Sequence, residues 1–516
     1  MKSSLFISIL CGWMLFLPLS ARETSPAKIK MLYNSLNPSS ISEHLAFSQL
    51  YPHTKEGKLA LEDAWKLLNK TGYRSTVRFS ELPNIQTAFS SLVTMVNKEP
   101  NEETPLLSLT DLQLVDQLCA HLGNRKLKGY KASSERQVMG LKPEEIDLAR
   151  GLFLSQLGDS PSTINQINSY EAMIDLMALQ ILTQLPQKAT PEQMIKAINQ
   201  FVFIEMGFRF PPHSLYAKDI DIYTFLPSVL DSRKGVCLGV SILYLCLAQR
   251  LELPLEMITP PGHIYIRYHE GDKIINIETT ARGIHIDNEE YLSIDTCKLQ
   301  QRHLGEVIGF AHVNQASVFL QEKKYEKSLN CYLKALPYLP HDSLLKELLG
   351  FNYIFIGEME KGQKLLLEIK DDIPDFSITK DSMVEDYLAG KVDAHGIQAI
   401  FMHVDEKRDS ILKKKEALCT CLKNYPEFRA GIFALATTWL QLHREGEALE
   451  ILEQCHEIDP SDPTTNYYLS TLYAERMHYN KAWEHLRVAE KIVHARDHYP
   501  TALKELRREL AFLSPE

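Results

Sequence analysis

The sequence predicts two architectures in one chain: an α+β core with a helical lead-in, then an all-α solenoid of paired helices. Three observations carry this reading. A 34-residue period runs through the C-terminal two-fifths. A strongly apolar helical stretch starts at Cys237. Directly after it, two short alternating runs around a polar turn have the pattern of a β-hairpin. At 516 residues the chain is too long for one hydrophobic core, and roughly three domains are expected. A formal charge of −10 and a pI near 6.0 leave no basic footprint, so nucleic acid is not an expected partner.

Taken in order, the chain opens with Met1 and Lys2 and then an almost wholly apolar run from Leu5 to Leu19. Leu19-Ser20-Ala21 supplies small residues for cleavage. This is the layout of a signal peptide over residues 1–21, with a mature chain from Arg22 that is exported, either periplasmic or secreted. Cys11 follows Leu10 inside the apolar run and does not read as a lipid acceptor. No later stretch is apolar for long enough to span a bilayer, so no transmembrane segment is expected after signal removal. Residues 22–142 read as mostly helical. Past Ala21 the cysteines lack the paired spacing of a zinc site, and many fall at apolar helical positions, so free and mostly buried thiols are expected. Free thiols sit awkwardly with export to an oxidising compartment.

Residues 143–300 carry the core. Gly235-Val236-Cys237 leads into Leu238–Leu251, apolar on nearly every face as a buried helix is, and Pro254 follows its end. Cys237 is thereby placed at a helix N-terminus, where unsatisfied N–H groups and the helix dipole favour a thiolate. Next come Gly262-His263-Ile264-Tyr265-Ile266, a polar turn over residues 269–272, and Lys273–Glu278. A loop centred between Glu270 and Gly271 sets Ile264 across from Ile277 and Ile266 across from Ile275, which makes one apolar face. On the other face His263 lies across from Glu278, at the roughly 4.5–5.5 Å Cβ separation of opposed residues.

Gly235-Val236-Cys237-Leu238-Gly239 at a helix start, Gly262-His263 at a strand start and Ile277-Glu278-Thr279-Thr280 at the next strand end resemble the transglutaminase-like superfamily. Ile198–Phe201, Met206–Phe208 and Leu230–Gly235 are most similar to its SirB-type bacterial branch, in which a helical lead-in and this core precede helical repeats. The resemblance implies a papain-like constellation of three residues. Cys237 would be the nucleophile, His263 the base and Glu278 the residue that orients it. The chain departs from the usual pattern in having Glu for Asp and no proline after it, and members of the SirB-type branch often lack the thiol. Two functions follow. One is thiol-dependent acyl transfer or amide hydrolysis, of peptidase, deamidase or transglutaminase type; the other is a non-catalytic interaction scaffold that keeps the core. For an oxyanion donor, Asn199, Tyr216, Tyr223 and the backbone N–H groups at Cys237 all remain open.

From about residue 310 the period takes over. Ala316 and Gly350 hold the 34-residue phase, as do Pro340 and Pro374, Pro426 and Pro460, and Ala448 and Ala482. Ala436 and Ser470 repeat the small position of a first helix, with Trp439 and Tyr473 three residues beyond each. The residue types and spacing resemble tetratricopeptide repeats over 310–516, in two blocks separated by an irregular insertion about 375–427. Such an array implies a protein or peptide partner and has no chemistry of its own. No cofactor or metal is expected: there is no phosphate-binding glycine loop, and His494 and His498, at helical i, i+4 spacing, lack the glutamate of a metalloprotease motif and read as a solvated face.

Overall fold

The computed structural model describes residues 25–70, 80, 85–91, 102, 104–211, 224–404 and 407–515. The expected signal peptide, Tyr216 and Tyr223 lie outside the described residues. The lead-in is helical, with Pro26–Asn34, Ile41–Leu50, Lys55–Lys70, Leu109–Leu118 and Leu148–Leu157 among its helices. It converges on α1 (Pro161–Thr183), which starts at Pro161 with the Ser160 side chain accepting the Thr163 N–H.

The second long core helix is α2 (Cys237–Arg250), buried almost throughout, as its apolar sequence requires. Its far end is fixed electrostatically. Arg250 Nε donates to Asp175 Oδ1 at 2.6 Å, and Arg125 Nη2 donates to Asp175 Oδ2 at 2.5 Å. Asp175 and Arg250 are both fully enclosed, so the pair locks α2 to α1 and sets where Cys237 ends up.

Four antiparallel strands follow: β1 (Leu255–Thr259), β2 (Tyr265–Glu270), β3 (Lys273–Ile277) and β4 (Gln300–Arg302), in the order β3-β2-β1-β4. Met257, Ile266, Tyr268 and Ile277 share one apolar cluster with Leu243 and Leu247 of α2. The β2–β3 register corrects the expected one. Ile266 pairs with Ile277 and Tyr268 with Ile275, because the connection is the two-residue turn Gly271-Asp272. Gly271 has φ +57 at the first central position of that turn, where glycine is favoured. A slip of two residues keeps every side chain on its own face, so the apolar face survives. His263 and Glu278 are nevertheless not ladder partners: both lie just past the strand ends.

The array begins at Leu304. It comprises α3 (Leu304–Gln321), α4 (Tyr325–Ala335), α5 (Ser343–Phe355), α6 (Met359–Ile369), α7 (Ser382–Leu388), α8 (Ala394–Ile400), α9 (Arg408–Asn424), α10 (Arg429–Gln441), α11 (Glu445–Ile458), α12 (Pro463–Glu475), α13 (Tyr479–His494) and α14 (Thr501–Leu513). The small positions are where partner helices touch. The Ser328 hydroxyl donates to Ala316 O at 2.8 Å, and the Ser470 hydroxyl donates to Ala482 O at 2.8 Å. A Cβ at Gly362 would stand 2.5 Å from Gly350 O. Pro340, Pro374, Pro426 and Pro460 each follow the end of a second helix, which they cannot continue. The irregular stretch holds α7, α8 and α9, and its leading loop bridges back to the core, Thr296 pairing with Ser377. One apolar cluster runs from Leu114 through Leu243 and Ile308 to Tyr332, so lead-in, core and first repeat are packed together.

Candidate thiol site

Cys237 is the first residue of α2, and no side chain caps that helix start. The approach to it is tight. The Gly235 N–H donates to Arg209 O at 3.2 Å, and a Cβ at Gly235 would stand 2.7 Å from Val240 Cγ2 and 3.0 Å from Val240 N. Only glycine lets the chain enter the helix this closely.

His263 sits in the turn before β2, behind Gly262 at φ +73, with its N–H donating to Pro260 O at 3.1 Å. Its Nε2–H donates to Glu278 Oε2 at 2.6 Å. With Nε2 committed to the carboxylate, Nδ1 is the nitrogen left for the thiol. Burial works against a charged imidazole here. Hydrogen bonds to Cys237 and Glu278 outweigh it and push His263 up to about 10.

Glu278 is 3% exposed and fully engaged. Oε1 accepts from the Thr280 N–H at 3.1 Å and the Thr280 hydroxyl at 2.5 Å, while Oε2 also accepts from the Tyr291 hydroxyl at 2.8 Å. Burial alone would raise this carboxyl, but the hydrogen bonds from His263 and Thr280 hold it below the ordinary range. The loop after Glu278 is tied to α2: the Thr279 hydroxyl donates to Cys237 O at 3.5 Å and lies 3.0 Å from Ser241 Oγ.

His263 and Glu278 therefore meet, although not by the expected cross-strand pairing, and Cys237 is near enough to help raise the imidazole. Asn199 is not an open donor: its Nδ2 donates to Gly283 O at 3.1 Å, and its Oδ1 accepts from the Tyr244 hydroxyl at 2.9 Å. Among the described candidates this leaves the backbone N–H groups at the uncapped start of α2. The solvated-face reading holds for His494, which is exposed, and is corrected for His498. α13 ends at His494, and His498 is buried beyond it, Nε2–H donating to Ser293 O at 2.7 Å. Tyr291 belongs to no periodic pattern or motif of the sequence, and Thr280, which closes the Ile277–Thr280 motif, was assigned no role there. Among the described residues no helix is long and apolar enough to cross a membrane. The cysteines at 119, 237, 246, 297, 331, 419, 421 and 455 are all free, most of them buried.

This is a transglutaminase-like domain, and residues 168–306 match the family model described as the transglutaminase-like superfamily. It is followed by a helical solenoid. Over 103 residues the chain is 29% identical to F-box only protein 21 of Mus musculus, covering 20% of this chain and 14% of that protein. Over 123 residues it is 23% identical to a UPF0162 protein of Xylella fastidiosa, covering 24% of this chain and 43% of that protein. The match thus spans less than half the length of either relative. Among solved structures, the chain is 16% identical to YrrB, a TPR protein with an unusual peptide-binding site, at a TM-score of 0.21 over 39% of this chain and 92% of that one. A thermophilic TPR protein of Thermus thermophilus gives 14% identity and a TM-score of 0.20 over 40% of this chain and 98% of that one.

Proposed function

We propose that this protein performs thiol-dependent acyl chemistry on an amide, of peptidase, deamidase or transglutaminase type, while the repeat array binds a protein or peptide partner. The observation that carries the proposal is the 2.6 Å His263–Glu278 hydrogen bond, with Cys237 near enough to the same imidazole to help raise it. A buried carboxylate keeps the imidazole oriented, and a protonated His263 supplies the counter-charge that a sulfur anion needs. Cys237 Sγ attacks the amide carbon. The C–N bond breaks, and the departing nitrogen takes its proton from His263. A thioester at Cys237 remains. Water or a primary amine then attacks it, passing a proton back through His263 and releasing the sulfur. Backbone N–H groups at the uncapped start of α2 would hold the developing oxyanion.

The SirB-type branch is the assignment we favour, on the order of helical lead-in, core and repeats. Export is supported by Lys2, the Leu5–Leu19 run and Ala21. The reaction is tested with blocked peptides bearing glutamine or asparagine amides, incubated with and without a primary amine and read by mass spectrometry. Conversion by the wild type and none by Cys237→Ala is expected. Equal background conversion by both proteins across the panel would favour the non-catalytic scaffold.

A further inference from the structure

One wall of the thiol site comes from downstream of the strands and is fastened to the repeat array. Tyr291 ends the helical turn Asn288–Tyr291. Its hydroxyl donates to Glu278 Oε2 at 2.8 Å, on the oxygen that His263 uses. Its ring lies nearly parallel to the His263 ring, 5.9 Å between centroids at 11°, and stacks on Tyr265 at 4.2 Å. A second donor on Oε2 limits rotation of the carboxylate, and the parallel ring limits tilt of the imidazole.

Two residues further on, the chain is latched into the array. Ser293 O accepts from His498 at 2.7 Å. Ile294 is buried in a cluster with Leu469, Leu486 and Val493. The Asp295 carboxylate accepts from the Ser377 hydroxyl at 2.6 Å, the Thr379 hydroxyl at 2.8 Å and the Thr379 N–H at 3.0 Å. Asp295 O accepts the Ile378 N–H at 2.8 Å, and the Cys297 N–H donates to Phe376 O at 2.8 Å. Asp295 lies only four residues beyond Tyr291, so at about 14 Å of fully extended chain the latch bounds how far Tyr291 can move.

We infer that the repeat array completes the thiol site: Tyr291 is a positioning residue for the Glu278–His263 pair, and the latch at Ser293–Cys297 holds Tyr291 in place. The consequence for turnover rests on the catalytic reading above; the geometry does not. The loop that leads the irregular stretch has a use in this account, since it contributes Ser377 and Thr379 to the latch.

The test uses the full chain and four variants: Tyr291→Phe, Asp295→Ala, Thr379→Val and the Tyr291→Phe/Asp295→Ala double. Two signals are read, the imidazole nitrogen and proton resonances of His263, and the rate at which iodoacetamide alkylates Cys237 relative to Cys419. Thermal melting guards against simple unfolding, and Thr379→Val, which leaves the backbone contact intact, stands in if Asp295→Ala does not fold. Folded Asp295→Ala and Tyr291→Phe should both shift the His263 resonances, and should change Cys237 alkylation in the same direction by about three- to tenfold, the range of one lost hydrogen bond. The double variant should fall short of the product of the single effects. Wild-type His263 resonances in folded Asp295→Ala and Thr379→Val would overturn the latch, even if Tyr291→Phe moves them. If Cys237 resists iodoacetamide in every protein, the catalytic reading fails, while the His263 resonances still decide the latch.

Discussion

The repeat array and the thiol core are held together by different means. In the array, position is set by a recurring steric requirement: a small residue on each helix lets its partner approach, as at Ser328 on Ala316 and Ser470 on Ala482. In the core, position is set by single polar contacts with no recurrence, such as Asp175 with Arg250 and Glu278 with His263. A periodic constraint spreads its error over many helices. A single contact does not, and the core should therefore be the more sensitive to one substitution.

The largest effect expected is on chemistry. Cys237→Ala should abolish acyl transfer while leaving the melting temperature unchanged, because the thiol side chain contributes little packing; residual transfer would remove Cys237 from the mechanism. Next comes the buried charge. Asp175→Ala leaves Arg250 and Arg125 without their shared carboxylate and should cost about 3–5 kcal/mol in chemical denaturation. Glu278→Gln should slow turnover by orders of magnitude and leave the fold intact, since the amide can keep one hydrogen bond to Thr280 but not the charge that holds His263 protonated. In the array, Ala482→Leu should cost less, about 1–3 kcal/mol by overpacking. An Ala482→Leu loss larger than that of Asp175→Ala would reverse the comparison.

How far each region was legible in the sequence follows from the same difference. The solenoid showed itself in its 34-residue phase, and its small positions lie at the helix contacts. The start of α2 was legible because an apolar run after Gly235 and Cys237 can only be a buried helix. The hairpin was legible in its faces but not in its register. Gly271-Asp272 is a two-residue turn with glycine first, a signal the sequence did carry. Tyr291 was not legible, because its role comes from a helical turn that packs back over His263. The latch was not legible either: Asp295 meets Ser377 and Thr379 only once the array has formed.

Smaller effects sharpen the account. Gly271→Ala places a side chain at φ +57 and should cost about 1 kcal/mol, with no effect on Cys237 reactivity, because the turn lies at the far end of the strands. The His263–Glu278 pair also makes stability depend on pH. His263 is raised, so its contribution is complete below its unfolded value near 6.5 and is lost as pH rises through about 10. Glu278 is lowered, so its contribution is present above its unfolded value near 4.3 and is lost as pH falls below that. The stability difference between wild type and His263→Ala should therefore be greatest between about pH 4.3 and 6.5. A difference that is flat from acid to alkaline pH would contradict the pairing.

The most direct test of the central claim is the rate of Cys237 alkylation by iodoacetamide at mildly acidic pH, resolved peptide by peptide against the partly exposed Cys419. A sulfur facing a protonated His263 should react selectively there, and Glu278→Gln should abolish the selectivity. If Cys237 reacts no faster than Cys419 below neutral pH, the site has the geometry of a thiol hydrolase without its chemistry, and the account of this protein as an enzyme is wrong.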